Sequence, residues 1–188
     1  MDFSERFHDA LEEVPENQFP EKRFVPAVGP PDAEIMMVGE APGENEVQKG
    51  EPFVGRAGDR LDEILEDIGV ERSEIYITNL VKVRPPDNRD PKQEEIEAWK
   101  PVLLAEIEEV DPEKILTLGN FATRELLDSS QGITSVHGEL FQRNGRKIMP
   151  VYHPAATLYD RSKGPELEED LRKAFGKRET GQTRLDEL

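Results

Sequence analysis

Short apolar runs alternate with amphipathic stretches along most of the chain. Four apolar runs have the length of strands, and they cover residues 34–38, 75–81, 114–118 and 147–152. Apolar residues at helical spacing, with Gly119 and Pro165 as start signals, predict helices over 58–68, 93–110, about 120–127 and about 165–175. Strands that alternate with helices favour an α/β fold whose parallel sheet is covered by helices.

The length of 188 residues fits one domain, which we place over residues 1–175. The proline-dotted residues 1–30 predict an irregular wrapping segment after one short helix, and the polar residues 176–188 predict a flexible tail. No apolar run approaches the roughly 20 residues of a membrane span, and the first thirty residues do not resemble a signal peptide. We expect a cytoplasmic protein with no membrane contact, and we expect it to be a monomer.

The chain is strongly acidic, with 24 Lys and Arg against 41 Asp and Glu and a net charge of −17. Such a charge repels the phosphates of nucleic acid at low ionic strength. It is typical of a protein from a salt-rich cytoplasm if the acidic runs at 106–111 and 166–170 lie on solvated helix faces and leave a basic face free. The absence of cysteine excludes disulfides, thiolate metal sites and a cysteine nucleophile.

The loops that follow the strands hold most of the unusual residues. In an open α/β sheet such loops meet beyond the carboxyl ends of the strands, so we expect them to form one site. The first, over residues 39–58, is rich in glycine but lacks the phosphate-binding patterns, and its carboxylates would repel a phosphate. Phe53 lies among glycine and proline, so it either pins the loop or provides a stacking platform for a flat ligand.

Two further loops supply polar groups. Asn79 lies near the end of a strand, where its amide either caps a neighbouring backbone group or matches the edge of a pyrimidine base. Residues 84–91, together with Lys82 and Lys92 at their flanks, carry more positive than negative charge, and their prolines give a stiff path that suits a phosphate backbone. His153 ends the last strand, where it can transfer a proton or donate to a developing anion, although a lone histidine is more often structural.

Five motifs along the chain resemble those of one enzyme family. They are GEAPGENE at 39–46, GEPFVGRAG at 50–58, YITNLVKVRPPDNRDP at 76–91, LTLGNFA at 116–122 and YHPAATL at 152–158. In this order they resemble the family 4 uracil-DNA glycosylases of bacteria and archaea, over about residues 22–175. The resemblance implies a three-layer α/β/α fold around a central four-stranded, mainly parallel sheet. It also implies an enzyme of base excision repair that binds uracil-containing DNA and releases free uracil.

The resemblance implies a role for each site residue. Glu40 matches the catalytic carboxylate, which would activate water, and His153 matches the imidazole that faces the uracil carbonyl. Glu46 matches the side chain that crowds the position of the methyl group of thymine. The uracil site would consist of Ala41, Glu46, Phe53 and Asn79. The contacts to DNA would come from Arg56, Arg84, Arg89, Lys92, Pro154, Ala155 and Leu158, with Lys163 as a further phosphate contact.

One departure from the family concerns a cofactor. Family members normally bind a four-iron cluster through four cysteines, whereas this chain has none. Val83 and Trp99 stand at two of the ligand positions. We therefore expect no iron-sulfur cluster and no other metal. In its place we expect apolar side chains, with Trp99 packed on Val83 and on wrapping-segment residues such as Val14 or Phe19.

Two other functions fit parts of the pattern. A binding protein could keep the uracil pocket and act as a damage sensor without chemistry, and a nucleotide hydrolase could share only the α/β scaffold. The presence of Glu40, Asn79 and His153 favours the enzyme over the sensor. The loop of prolines and arginines favours DNA over a free nucleotide. We therefore expect hydrolysis of the N-glycosidic bond of a flipped uracil.

Overall fold

A five-stranded sheet forms the centre of the computed structural model, which describes residues 2–20 and 23–176. Its strands are β1 (Ile35–Gly39), β2 (Ile75–Asn79), β3 (Lys114–Leu118), β4 (Phe141–Arg143) and β5 (Arg146–Val151). Their order across the sheet is β2-β1-β3-β5-β4, and all neighbours are parallel except the antiparallel pair of β4 and β5. The predicted tail lies outside the described residues beyond Gly176.

Helices cover both faces of this sheet. They are α1 (Phe3–Arg6), α2 (His8–Glu12), α3 (Glu44–Lys49), α4 (Arg56–Asp67), α5 (Gln93–Val110), α6 (Asn120–Leu127), α7 (Ile133–Val136), α8 (Ala156–Tyr159) and α9 (Lys163–Ala174). Apolar residues of α2, α5 and α6 pack on one face with Met36 and Val38, and those of α4, α7 and α9 pack on the other with Ile35 and Met37. This alternation of β1 residues between two cores confirms the three-layer α/β/α architecture. Across the described residues, no helix is both long and apolar enough to cross a membrane.

The apolar pattern does not predict the fifth strand. β4 has three residues, and two of them are exposed, so it lacks the apolar run by which the other strands are recognised. It joins β5 through a two-residue turn in which Asn144 and Gly145 both have positive φ, at 49° and 78°. Asn-Gly is the preferred dipeptide for a hairpin turn of this kind, so this pair was the available signal for β4.

Local periodicity predicts the bounds of the predicted elements to within two residues. The helices α5 and α6 and the strand β3 have the predicted bounds. The predicted strand over 75–81 instead ends at Asn79. The amides of Leu80 and Val81 still donate to the carbonyls of Gly39 (3.0 Å) and Glu40 (3.1 Å), but the strand pairing stops there because the chain bends.

The wrapping segment runs along the edge of β2 and packs on one aromatic residue, Trp99 of α5. The bridges Phe24 to Val83 and Val28 to Ile77 are antiparallel. The indole of Trp99 is fully buried, with the ring of Phe19 edge-on at 5.2 Å and that of Phe24 stacked at 6.0 Å. The same cluster also contains Val14 and Val83. The predicted packing of Trp99 is therefore confirmed, and Phe24 is an additional partner.

Two acidic residues and one lysine that the charge pattern predicts to be exposed are buried instead. Glu106, in the run at 106–111, and Asp170, in the run at 166–170, are 0% and 2% exposed, and Lys82 is 1% exposed. Lys82 Nζ lies 2.5 Å from Glu106 Oε2, and His137 Nδ1 lies 2.7 Å from Asp170 Oδ2. A buried charge is stable only beside a partner, so these corrections come from tertiary pairings that a local charge pattern cannot show.

We predict that Trp99→Ala lowers the free energy of unfolding by about 3–5 kcal/mol, because it removes the buried indole and leaves a cavity. It also removes the hydrogen bond from Nε1 to the carbonyl of Gln18 (3.2 Å), so the wrapping segment should become more susceptible to protease. Urea denaturation and limited proteolysis measure the two effects. The control is Leu104→Ala on the same helix, where the side chain is 46% exposed and the loss should stay within about 0.5 kcal/mol. Equal protease resistance of residues 2–20 in wild type and Trp99→Ala would contradict this role.

Candidate active site

The loops after β1, β2 and β5 enclose a small cavity at the carboxyl ends of these strands. Its volume is about 210 Å³, and it is lined by Ala41, Gly43, Glu46, Phe53, Ala57, Asn79 and His153. This volume lies below the roughly 300 Å³ at which pockets for drug-sized ligands begin, so it suits one small ring. All four residues predicted for the uracil site therefore line a single cavity with His153.

The contact between Gly39 and its neighbours sets the shape of this cavity. A Cβ on Gly39 would lie 2.4 Å from Asn79 Oδ1 and 2.7 Å from the ring of Phe53, so no other residue fits there without a shift. Phe53 itself has a φ of 53°, a left-handed conformation that is strained for a side chain of this size. Its ring lies 5.4 Å from the ring of His153 with 31° between their planes. One wall of the cavity is therefore aromatic, and Gly39 was not among the predicted site residues.

Glu46 holds the first loop together through backbone hydrogen bonds. Its Oε1 accepts from the amides of Val54 (3.1 Å) and Gly55 (3.0 Å), and its Oε2 accepts from the amide of Gly43 (3.1 Å). One carboxylate thus ties the start of α3 to the segment that carries Phe53. The resemblance implied only a steric role for Glu46. The signal for a second role is its position in the first turn of a helix, where a carboxylate is suited to accept from free amides.

The neighbours of His153 determine which ring nitrogen carries the proton. The amide of Ala155 donates to Nδ1 at 3.1 Å, so Nδ1 acts as an acceptor and the proton of the neutral ring lies on Nε2. Burial lowers the pKa of His153 to about 4, and the negative charge of Glu46 offsets this only in part. At neutral pH the ring is therefore uncharged, with Nε2–H as a donor.

Glu40 directly follows Gly39 at the end of β1 and lies just outside the lining of the cavity. Burial, and secondly the negative charge of Asp90, raise the pKa of Glu40 to about 7. Within the described part of the chain no hydrogen bond reaches its carboxylate. A carboxylate of this pKa is suited to act as a base near neutral pH. The contribution of Asp90 was not predicted.

Most of the basic residues predicted to contact DNA are paired with carboxylates. Both terminal nitrogens of Arg89 lie 2.7 Å from the oxygens of Glu95. Arg84 donates to Asn88 at 2.6 Å and lies 3.5 Å from Glu44, and Lys92 lies 3.6 Å from Glu94. Within the described residues Arg56 is exposed at the start of α4 and has no ion-pair partner. Lys82, which the sequence placed beside this group, is buried and faces away from solvent.

The loop after His153 presents apolar side chains to solvent. Pro154 is buried and Ala155 is partly buried, whereas Leu158 is 36% exposed. The neighbouring Tyr159 is 89% exposed. Sequence reasoning did not single out Tyr159, although a tyrosine beside an exposed leucine in a site loop was a usable signal. Lys163, the further phosphate contact that the resemblance implied, lies 3.2 Å from the hydroxyl of Tyr152.

Comparison with known proteins identifies the family. The family described as "Uracil DNA glycosylase superfamily" matches residues 26–176. The chain belongs to the uracil-DNA glycosylase superfamily. The "Type-4 uracil-DNA glycosylase" of Saccharolobus solfataricus is 47% identical over 161 residues, which cover 81% of this chain and 74% of that protein.

Further relatives indicate the branch of the superfamily. The type-4 enzyme of Archaeoglobus fulgidus is 44% identical over 158 residues, which cover 80% of this chain and 79% of that protein. A "Type-5 uracil-DNA glycosylase" of Pyrobaculum aerophilum is 32% identical over 150 residues, which cover 71% of this chain and 66% of that protein. The chain is therefore a type-4 member of the uracil-DNA glycosylase superfamily.

We predict that Glu46→Ala lowers the free energy of unfolding by about 2–4 kcal/mol, because three backbone amides lose a charged acceptor. The amides of Val54 and Gly55 should also exchange faster with solvent. Urea denaturation and amide hydrogen exchange measure these effects. Glu44→Ala is the control, since Glu44 lies exposed on the same helix and its loss should cost no more than about 0.5 kcal/mol. Equal losses in the two variants would show that Glu46 does not hold the loop.

Proposed function

We propose that this protein excises uracil from DNA by hydrolysing the N-glycosidic bond between the base and its sugar, which leaves an abasic site. The observation that carries the proposal is the cavity in which Phe53, Asn79 and His153 converge in a type-4 member of the superfamily. A base in a duplex cannot enter such a cavity unless it leaves the stack. Extrusion of the base costs a few kcal/mol, and the contacts inside the cavity must repay that cost.

The cavity offers recognition of both the face and the edge of a pyrimidine. The ring of Phe53 lines it and provides a stacking surface for a flat base. The side-chain amide of Asn79 carries one acceptor and one donor group, which match the adjacent carbonyl and N–H of uracil. Glu46 also lines the cavity, and its three backbone bonds hold the carboxylate in place. We assign to it the exclusion of the thymine methyl group, which is worth about 1–3 kcal/mol for one such group.

Glu40 and His153 supply the charges that the reaction requires. As the base departs, positive charge develops on the sugar and negative charge on the uracil oxygen. The Nε2–H of the neutral His153 would donate to that oxygen, since Nδ1 already accepts from the amide of Ala155. In its ionised form Glu40 positions or deprotonates the attacking water and opposes the positive charge on the sugar. No step in this scheme requires a metal.

The side chains of this protein do not fit the iron-sulfur cluster of its family. The chain contains no cysteine, and Val83 and Trp99 stand at two positions where the resemblance implies ligands. These two residues, with Phe19 and Phe24, form an apolar cluster between the wrapping segment and the start of the proline loop, which we define as residues 83–91. We propose that this apolar packing replaces the cluster as the link between the two segments.

We assign DNA binding to the loops that surround the cavity. Leu158 is exposed in the short helix that follows His153 in the chain, and it is suited to fill the space that an extruded base leaves. Arg84, Arg89 and Lys92 would exchange their carboxylate partners for phosphates, and Arg56 would contact phosphate directly. The net charge of −17 opposes this binding at long range, so we expect activity to persist at high salt. We also propose that the protein acts as a monomer in the cytoplasm.

The function is tested by incubating the protein with a DNA strand that contains one uracil and then cleaving the abasic sites with alkali. We predict cleavage of the uracil strand, and cleavage at least about tenfold slower at a thymine mispaired with guanine. The activity should persist with a chelator, and the protein should contain no stoichiometric iron. Binding of uracil-containing DNA without cleavage would instead support a damage sensor. Loss of activity on iron removal would overturn the cluster-free assignment.

We predict that Glu40→Ala and His153→Ala each slow single-turnover excision by about a hundredfold or more, while DNA binding weakens much less. The exposed residues Glu13 and His8, which lie outside the site, provide matched controls, and their alanine variants should excise at the wild-type rate. The pH profile gives a second measurement. Because the pKa of Glu40 is raised to about 7 and its carboxylate is the active form, the wild-type rate should rise with pH through about 7. His153, with a pKa of about 4, is already neutral at this pH, so its ionisation should not change the rate between about pH 6 and 8. A flat profile in wild type would contradict the assignment of Glu40 as the base.

A further inference from the structure

A buried ion pair lies directly behind the cavity. Lys82 is 1% exposed and Glu106 is 0% exposed, and Lys82 Nζ lies 2.5 Å from Glu106 Oε2. The same Nζ donates to Thr78 Oγ1 at 2.8 Å and to the carbonyl of Asn79 at 2.6 Å. Two of these contacts, to Thr78 Oγ1 and to the carbonyl of Asn79, are hydrogen bonds, and the third, to Glu106 Oε2, is an ion pair.

The two oxygens of Glu106 differ in their contacts, because Oε2 forms only the ion pair with Lys82 while Oε1 accepts hydrogen bonds. Glu106 Oε1 accepts from the hydroxyl of Thr78 at 2.8 Å and from that of Tyr76 at 3.2 Å. Thr78 therefore accepts from Lys82 and donates to Glu106 through one hydroxyl group. The network joins α5 to the end of β2, and its members are all buried.

Such a network is a poor source of stability by itself. Burial lowers the pKa of Lys82 and raises that of Glu106, since both charges lose their contact with water, and the attraction between them only offsets this effect. Apolar residues of similar volume at both positions often stabilise a core at least as well as a buried pair does. The pair instead holds the backbone at the end of β2 in place.

The peptide group that follows Asn79 is held on both sides. Its carbonyl oxygen, that of Asn79, accepts from Lys82 Nζ, and its N–H, that of Leu80, donates to the carbonyl of Gly39 at 3.0 Å. The next amide, that of Val81, donates to the carbonyl of Glu40 at 3.1 Å. The orientation of this peptide and the backbone of Glu40 are thus coupled to the network.

The side chain of Asn79 is closely packed against the neighbouring strand. A Cβ on Gly39 would lie only 2.4 Å from Asn79 Oδ1, which shows how closely the amide approaches the neighbouring strand. The Cα of Asn79 is part of this peptide plane, so a displacement of the peptide would move the side-chain amide against Gly39 or away from the cavity. Misplacement of a reacting or binding group by about 1 Å can lower a rate by about a hundredfold.

We propose that Lys82 is a positioning residue, which fixes the Asn79–Leu80 peptide and so directs the amide of Asn79 into the cavity, and that Glu106 holds Lys82 in place for this purpose. This inference rests on the proposed role of Asn79 in reading the uracil edge. The lysine acts entirely from within the fold, because its ammonium reaches neither the cavity lining nor solvent.

The test separates positioning from stability by replacing both charges together. Lys82→Met alone strands a buried carboxylate and is expected to destabilise the fold, whereas Lys82→Met with Glu106→Leu removes both charges and should restore the Tm close to wild type. We expect this double variant to slow single-turnover excision by about tenfold to a hundredfold. Inhibition by free uracil should weaken in parallel, while affinity for uracil-free DNA stays unchanged.

A second ion pair, which joins α5 to α6, provides the matched control. Lys100 Nζ lies 2.7 Å from Glu125 Oε1, and the lysine is exposed. Lys100→Met with Glu125→Leu removes the same two residue types, and it should leave both the rate and the uracil inhibition at wild-type values. If the Lys82 double variant does not fold, Thr78→Val tests the same network with both charges retained, and it should weaken inhibition by free uracil in the same direction.

The outcomes distinguish this inference from the role of Asn79 on which it rests. Asn79→Ala should weaken uracil inhibition at least as much as the Lys82 double variant does. If Asn79→Ala leaves inhibition unchanged, the uracil-reading role of Asn79 fails. If Asn79→Ala weakens it and a folded Lys82 double variant behaves as wild type, Asn79 keeps its role and the positioning role of Lys82 is overturned.

Discussion

The parallel pairing of β1 with β2 sets Gly39 opposite Asn79 at the carboxyl end of the sheet, and the site is built around this contact. Because residue 39 has no side chain, the amide of Asn79 and the ring of Phe53 share the space that a Cβ would occupy. Phe53 reaches this place only through a left-handed backbone conformation. Strain of this kind persists where the surrounding structure determines it, as the carboxylate of Glu46 does here by bonding to the two amides that follow Phe53.

Two kinds of interaction hold the loops of the site: hydrogen bonds hold the first loop, and apolar packing holds the second. The first loop is rich in glycine and has few apolar side chains, so polar contacts from Glu46 to its backbone amides hold it together. The proline loop and the wrapping segment carry Val83, Phe19 and Phe24, and these pack on the indole of Trp99. An apolar cluster thus joins these two segments.

Burial shifts the pKa values of the two proposed catalytic groups in opposite directions, although the physical cause is the same for both. Loss of water disfavours the charged form of each side chain, so it raises the pKa of the carboxylic acid Glu40 to about 7 and lowers that of the imidazole His153 to about 4. The result is a base that ionises near neutral pH and a donor that stays uncharged. An uncharged donor can stabilise a departing anion without a positive charge of its own in a site next to a developing sugar cation.

The sequence by itself determined the α/β class, the bounds of the predicted elements to within two residues, and five of the residues that line the cavity, whereas Gly43 and Ala57 were not predicted. Apolar periodicity is a local property, so α5, α6 and β3 follow directly from it, and the motif resemblance placed Ala41, Glu46, Phe53, Asn79 and His153 in one site. Only the tertiary structure decided which charged residues are buried. Lys82 lies in a charged stretch and Glu106 in an acidic run, and their pairing requires α5 to pack over the end of β2. The position of Glu106 at helical spacing from the buried residues Trp99, Leu103 and Val110 was the local sign of this burial, but its partner lies 24 residues away in sequence, beyond the reach of any local pattern.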